Sequence, residues 1–276
     1  MRLSNTELEY LRESLTTTPM VRPDSRQPSQ FRPVDSEIDI LPMANGSSRV
    51  RAADGSECIV GVKASVVATH SQLIDVSVDV AGLKDNDTLP NSLAVVLKQV
   101  LNACPEITEG SLILNPRYAF RLFVDCVVLS YASNPLSMLS IAIFQALKST
   151  RLPLKLGVAG EDQELIKKGD EVEIPQFDDD WSASVPLCPA GWTPPLLFIT
   201  AAVGPAVIMD PTTQEEAVSE ASIFITWKNG HIAAPIRVLD SLPGPFMGPF
   251  DPELVFDAYS LVEECAPQVE KELMED

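Results

Sequence analysis

The chain has 276 residues, 45% of them hydrophobic, and carries 39 Asp and Glu against 20 Lys and Arg, a formal net charge of -19. The apolar content excludes a wholly disordered acidic chain, which would lack the burial needed to offset ordering entropy, and is enough for one large or two modest domains. The charge argues against a protein that grips nucleic acid by itself, because neutralising phosphates takes an excess of Lys and Arg.

The first predicted element is a helix. Ser4-Asn5-Thr6-Glu7 reads as a capping box, followed by Leu8, Leu11 and Leu15 at helical spacing, and Pro19 stops it. Val21 to Pro33 reads as an extended arm rich in Arg and Pro. A hairpin follows: Ser48–Ala52, an Asp54-Gly55 turn, and a long strand from Glu57 to Val67. Gln72 to Val80 alternates Leu73, Asp75, Ser77 and Asp79 against Ile74, Val76, Val78 and Val80, a strand with one oily face.

At Pro90–Ala103 the period switches, and Leu93, Val96, Leu97, Val100 and Leu101 make one helical stripe. Ala119–Tyr131 returns to strand. Leu136–Leu147 is a helix of apolar and small residues, suited to close packing. Glu161 to Pro195 reads as an acidic surface excursion containing one short strand. Strand signals resume at Leu196–Val203, Val207–Met209 and Ala221–Trp227, and an Asn229-Gly230 turn leads into His231–Val238. Past a Pro/Gly loop at 243–249, Asp251-Pro252 caps a last helix with Leu254, Ala258, Leu261 and Val262 inward. This order predicts a mixed α/β fold with helices packed on a mixed β-sheet. An N-terminal helix and arm occupy 1–33 and the main domain 34–276, its excursion at about 161–195.

Charge is uneven along these elements. Glu161–Asp180 and Asp251–Asp276 together hold 18 acids and 3 lysines, -15 of the -19, so the remaining 230 residues carry only -4.

Little in the chain suggests catalysis. Cys58, Cys104, Cys126, Cys188 and Cys265 lie far apart with no CxxC pair, and read as reduced core residues rather than a disulfide frame or zinc site. There is no apolar leader and no apolar run near the ~18 residues of a membrane span, so a soluble, intracellular protein is expected. His70 and His231 have no nucleophile elbow to serve. Neither GxGxxG nor a Walker loop is present, so no cofactor is expected. Asp178-Asp179-Asp180 reads as a solvated acidic loop, with Mg²⁺ chelation the alternative.

The basic residues are more suggestive. Arg117 and Arg121 flank the start of the Ala119–Tyr131 strand on one side of its period, Lys63 sits on the long strand, and Arg49 and Arg51 lie two apart on one hairpin face. Such spacing builds a small basic surface; ordinary strand-surface charge is the other reading.

The run from Asn45-Gly46-Ser47-Ser48-Arg49 through Cys58-Ile59-Val60 resembles the RNase PH family. So do Arg22-Pro23-Asp24-Ser25-Arg26, Leu122-Phe123-Val124-Asp125-Cys126, and Asp210-Pro211-Thr212 with Glu215-Glu216. The similarity runs in order over nearly the whole chain. It also has departures. Phosphorolytic members carry an Asp-Gly-Gly-Thr-Arg-like turn that holds the attacking phosphate, where this chain reads Ala132-Ser133-Asn134-Pro135-Leu136. Pro135 removes an N–H donor and Leu136 supplies no cation. Where active members place a catalytic aspartate after the acidic pair, this chain has Ser222, whose hydroxyl cannot replace a carboxylate.

The resemblance therefore implies an RNase PH-like fold without catalytic or metal residues of its own. It implies a non-catalytic place in the six-membered ring of an RNA exosome, beside other RNase PH-like subunits in side-by-side heterodimers and beneath RNA-binding cap subunits. Single-stranded RNA passes through such a ring to an associated 3'-to-5' nuclease, in rRNA processing and RNA decay. Arg117 and Arg121, with Arg49, Arg51 and Lys63 behind them, are then the channel candidates, since a reader of threaded RNA needs only a few inward cations. The nucleus and nucleolus, and also the cytoplasm, are the implied locations. Two other readings stay open: an active phosphate-dependent 3'-to-5' exoribonuclease, and an acidic protein-binding module that never touches RNA.

Overall fold

The computed structural model describes residues 3–68, 72–84, 87–156, 175–188, 191–240 and 251–275. His70, most of the acidic excursion and the Pro/Gly loop before the last helix lie outside the described residues.

Helix α1 (Asn5–Thr16) begins with the full capping box, Ser4 accepting from the Glu7 N–H while the Glu7 carboxylate accepts from the Ser4 N–H. Five strands form the first sheet, β1 (Val34–Ile38), β2 (Gly46–Ala52), β3 (Glu57–Ala68), β4 (Ile74–Val80) and β5 (Tyr118–Ser130), in the order β1-β2-β3-β5-β4. All its pairings are antiparallel except β4 on β5. Helix α2 (Thr88–Asn102) supplies the crossover between the two parallel strands and packs on β4. Between α2 and β5 a π-helical turn, Glu106–Ser111, was not visible in the hydrophobic period.

Helix α3 (Leu136–Ser149) leads to the short pair β6 (Arg151–Leu152) and β7 (Val185–Pro186). The second sheet contains β8 (Leu196–Val203), β9 (Ala206–Met209), β10 (Ala221–Lys228) and β11 (His231–Asp240), ordered β11-β10-β8-β9, with the one-turn helix α4 (Thr213–Glu216) after β9. Asn229 and Gly230 both have positive φ (50° and 80°), as a two-residue hairpin of the primed type requires. Helix α5 (Leu254–Glu275) closes the chain and packs on the second sheet. Of its expected inward residues Leu254, Ala258 and Val262 are buried, while Leu261 is half-buried and Cys265, Ala266 and Leu273 complete the stripe. Arg117 precedes β5 and does not share its pleat.

Helix α3 is the shared wall. It packs on β1, β2, β3 and β5 of one sheet and on β8 of the other, and every residue from Leu136 to Leu147 is buried. Buried backbone polar groups must find partners, and the small residues of α3 provide them: Ser140 Oγ accepts from Leu197 N at 2.6 Å, and Ser48 Oγ of β2 donates to Ala142 O at 2.6 Å. The five cysteines are all free, and burial pushes the Cys58 thiol up to about 12.

Gly46 of β2 lies tight against the C-terminal end of α3, where an added Cβ would lie 2.4 Å from Thr150 Oγ1 and 2.5 Å from Ala146 O. Gly46→Ala is expected to lower stability by about 1–3 kcal/mol through overpacking, read as a fall in the urea midpoint at unchanged slope.

Candidate functional site

Two constellations carry the chemistry that the sequence singles out. The first is built where the arm meets the start of α4. Arg22 is 2% exposed and forms a two-pronged pair with Glu215, Nε to Oε1 and Nη2 to Oε2, both at 2.8 Å. Its Nη1 donates to Met209 O at 3.1 Å and Gln27 O at 3.2 Å, and Nη2 also donates to Asp210 O at 3.2 Å. Arg26 donates from Nη1 to Asp210 Oδ2 (3.1 Å), from Nη2 to Asp210 O (2.9 Å) and from Nε to Asp24 (2.6 Å). Arg32 donates from Nε to Asp210 Oδ2 at 2.6 Å, from Nη1 to Asp54, and from Nη2 to Ser133 Oγ at 2.7 Å and Pro211 O at 3.0 Å. Asp210 stands at φ 48°, a left-handed conformation that Asp adopts more readily than most residues.

This cluster reaches the loop before α3. Asn134 N donates to Glu216 Oε1 at 2.8 Å, and Leu136 N donates to the Asn134 side chain at 3.1 Å. Thr213 Oγ1 donates to Ala132 O, and Ala132 N to Ser56 Oγ at 3.0 Å. Burial pushes the Glu216 carboxyl up to about 7, against the pull of the Asn134 N–H and the Arg32 charge. The cavity left between Arg32, Ser133, Asn134, Pro135, Ser137 and Asp210 measures about 10 Å³. That is room for roughly one water. Ser222 is half-buried on β10, in register with Ala201 and Leu239.

The second constellation is the face of the five-stranded sheet turned away from α3. It gathers four of the five candidate RNA contacts, three of them in ion pairs. Arg49 and Arg51 share one carboxylate, Glu57, with Glu37 at 4.0 and 3.8 Å beyond them. Arg121 donates from Nη2 to Asp75 at 2.8 Å, and Lys98 pairs with the same carboxylate at 2.7 Å. These two cations, Lys98 foremost, hold the Asp75 carboxyl below its ordinary value. Lys63 is exposed and enters none of these pairs. Arg117 is exposed in the turn before β5. Of the acidic run, Asp180 caps the 3-10 turn Trp181–Ala183, accepting from Ser182 N at 2.9 Å, and Asp178 accepts from Asp180 N at 2.9 Å. Those local roles fit the acidic-loop reading.

Residues 30–153 match the model of the 3' exoribonuclease family, domain 1. The chain is 40% identical over 275 residues to the exosome complex component RRP42 of Saccharomyces cerevisiae, covering 99% of both chains. It is 32% identical to the rrp42 component of Schizosaccharomyces pombe, covering 82% of this chain and 78% of that one. The chain belongs to the RNase PH family. Among solved structures, a chain of the Archaeoglobus fulgidus exosome with RNA bound to the active site superposes with a TM-score of 0.70 at 18% identity, covering 97% of this chain and 98% of that one. The archaeal exosome core gives 0.69 at 18% identity, over 98% and 97%. Both establish the RNase PH-like fold read from the sequence.

The sequence shows the two halves of the arginine–carboxylate cluster only as separate family-like segments. Nothing in local spacing pairs Arg22 with a residue 193 positions away, and the one available signal is an Arg-rich arm in a chain with an isolated acidic pair near Asp210.

Arg22→Met alone leaves Glu215 charged and buried, and is expected to cost about 3–5 kcal/mol in a denaturant titration, most of it recovered in Arg22→Met/Glu215→Leu. Glu216 sets a pH dependence. The folded chain keeps its proton up to about 7 while the unfolded chain releases it near 4.5. Stability is therefore fully present below pH 4.5 and lost as pH rises toward 7, by about 3 kcal/mol at ~1.4 kcal/mol per pH unit. Glu216→Gln should flatten that part of the stability–pH profile.

Proposed function

We propose that this protein is a non-catalytic structural subunit of an RNA exosome core ring. It stands beside other RNase PH-type subunits and helps to form the channel that threads single-stranded RNA for 3'-to-5' processing and decay. The end-to-end similarity to Rrp42 exosome components supports the place in the ring.

The observation that carries the non-catalytic part is the sealed loop at the N-terminus of α3. Attack by phosphate needs N–H donors and a cation left open for the anion. Here the Asn134 N–H is taken by the Glu216 carboxylate, the Leu136 N–H by the Asn134 side chain, and Pro135 has no N–H. The Arg32 fork is filled on Nε, Nη1 and Nη2, and so are those of Arg22 and Arg26. Three arginines face Asp24, Asp54, Asp210, Glu215 and Glu216, so an incoming phosphate meets an excess of carboxylates. A cavity of about 10 Å³ does not admit it.

The same reading places the protein in the nucleus and nucleolus, and also in the cytoplasm, and imaging of a tagged chain checks that. The biochemical test has two arms. The pure chain, incubated with single-stranded RNA and inorganic phosphate, is expected to release no nucleoside diphosphate. Co-expressed with RNase PH-type partners it is expected to form a stable heterodimer and then a ring, by mass measurement. Diphosphate release by the chain alone would establish the phosphorolytic alternative.

A further inference from the structure

The outward face of the five-stranded sheet is divided by charge. Toward β1, Arg49 and Arg51 are neutralised by Glu37 and Glu57. Toward β4, Arg121 of β5 and Lys98 of α2 converge on Asp75, with Lys63 of β3 exposed opposite Phe123 beside them. Three cations thus stand around one carboxylate.

An aromatic ring stands among them. Phe123 lies on the outward pleat of β5, opposite Lys63 on β3 and Asp75 on β4. It is half-buried, yet it belongs neither to the hydrophobic core nor to the partly buried residues packed against that core. Its neighbour is a cation: Arg121 Cζ sits 4.9 Å from the ring centroid. Asp75 holds the Arg121 guanidinium in place through Nη2, while its buried Nε donates to nothing among the described residues.

A half-buried ring outside the core, steadied by a guanidinium, offers a flat surface, and the lysine beside it is a residue type depleted at protein-interface cores. Together they suit a polyanion with flat bases. Unpaired bases stack on aromatic side chains and on Arg planes while nearby cations meet the phosphates. We propose that Phe123, with Arg121 against it and Lys63 beside it, is a stacking platform for an unpaired base of single-stranded RNA. This rests on the ring-subunit reading and adds a base-contacting residue to it.

The test uses the chain co-assembled with RNase PH-type ring subunits and a short single-stranded RNA carrying a photo-crosslinking uridine. Wild-type rings are expected to crosslink at Phe123 or a residue beside it. Phe123→Leu keeps the residue apolar but removes the flat surface, and should weaken RNA binding about tenfold, since a single stacked base typically accounts for that much or more. Phe123→Trp should restore binding, and an RNA with an abasic linker in place of its bases should bind wild type and Phe123→Leu rings alike. Lys63→Glu should weaken binding of both RNAs and lower its salt dependence. Unchanged binding by Phe123→Leu rings, with crosslinks retained at Arg117 or Arg121, would overturn the platform and leave RNA threading intact. An absence of crosslinks anywhere in this chain would overturn both. Loss of ring assembly in Phe123→Leu and Phe123→Trp alike would mean that the face is a subunit contact, which also overturns the platform.

Discussion

The buried pairing of Arg22 with Glu215, and the joint hold of Arg26 and Arg32 on Asp210, fix the arm between residues 21 and 33 to the far end of the chain. The arm is polar and rich in Pro, so the hydrophobic effect alone gives it no single resting place. Three guanidiniums reaching residues 178 to 193 positions away do. Taking such charges out of water is costly, and the geometry offsets it only because nearly every donor is used. Phe31, carried by the same arm, then meets Phe198 of β8 edge to face at 6.1 Å, which links the clamp to the core. The clamp also sets the backbone at Asp210, whose left-handed turn presents both its carbonyl and its carboxylate to the arm.

From the clamp, consequences run to α3. Arg32 touches Ser133 and Glu216 touches Asn134, so the entry to the most buried helix of the fold is set by residues of the arm and of α4. A helix N-terminus attracts anions through its free N–H groups and its dipole. In this chain an internal carboxylate already occupies that position. Burial raises the proton affinity of Glu216; the Asn134 N–H and Arg32 oppose it, and the nearby Asp210 and Glu215 charges add to it. One arrangement thus joins the arm to the core and sets the entry to the helix on which both sheets pack.

The capping box at Ser4, the leucine stripe of α1, the alternation of β4 and the Asn229-Gly230 turn were legible in the sequence because each signal is local: a side chain answers a neighbour three or four residues away, or a pleat of period two. The loop from Ala132 to Leu136 was legible as lacking a cation and an N–H. Its sealing by Glu216 was not, because that contact joins residues 82 positions apart. Strand β1 escaped notice because its burial is partial and its pattern, Val-Asp-Ser-Glu-Ile, carries only two apolar residues. Spacing puts Arg49 and Arg51 on one hairpin face, yet it says nothing of their sharing a sheet face with Arg121 or of the carboxylates across the strands. Phe123 read as one more apolar residue in a strand, since only the registry with β3 and β4 shows that it points outward among charges.

Register also decides where a chain of -19 is neutral and where it presents cations. On an antiparallel sheet, directly opposed side chains lie about 4.5–5.5 Å apart at Cβ, so each cation is judged by its cross-strand partner rather than by total charge. Glu37 lies opposite Arg49, and Glu57 opposite Arg51, and that end of the face is neutral. Ser65 lies opposite Arg121 and Phe123 opposite Lys63, so no carboxylate of β3 reaches either cation. Screening limits the reach of any one charge to about 10 Å at ordinary ionic strength. Within that distance of Phe123 stand Lys63, Arg121, Lys98 and Asp75, and the sum over the whole chain does not describe them.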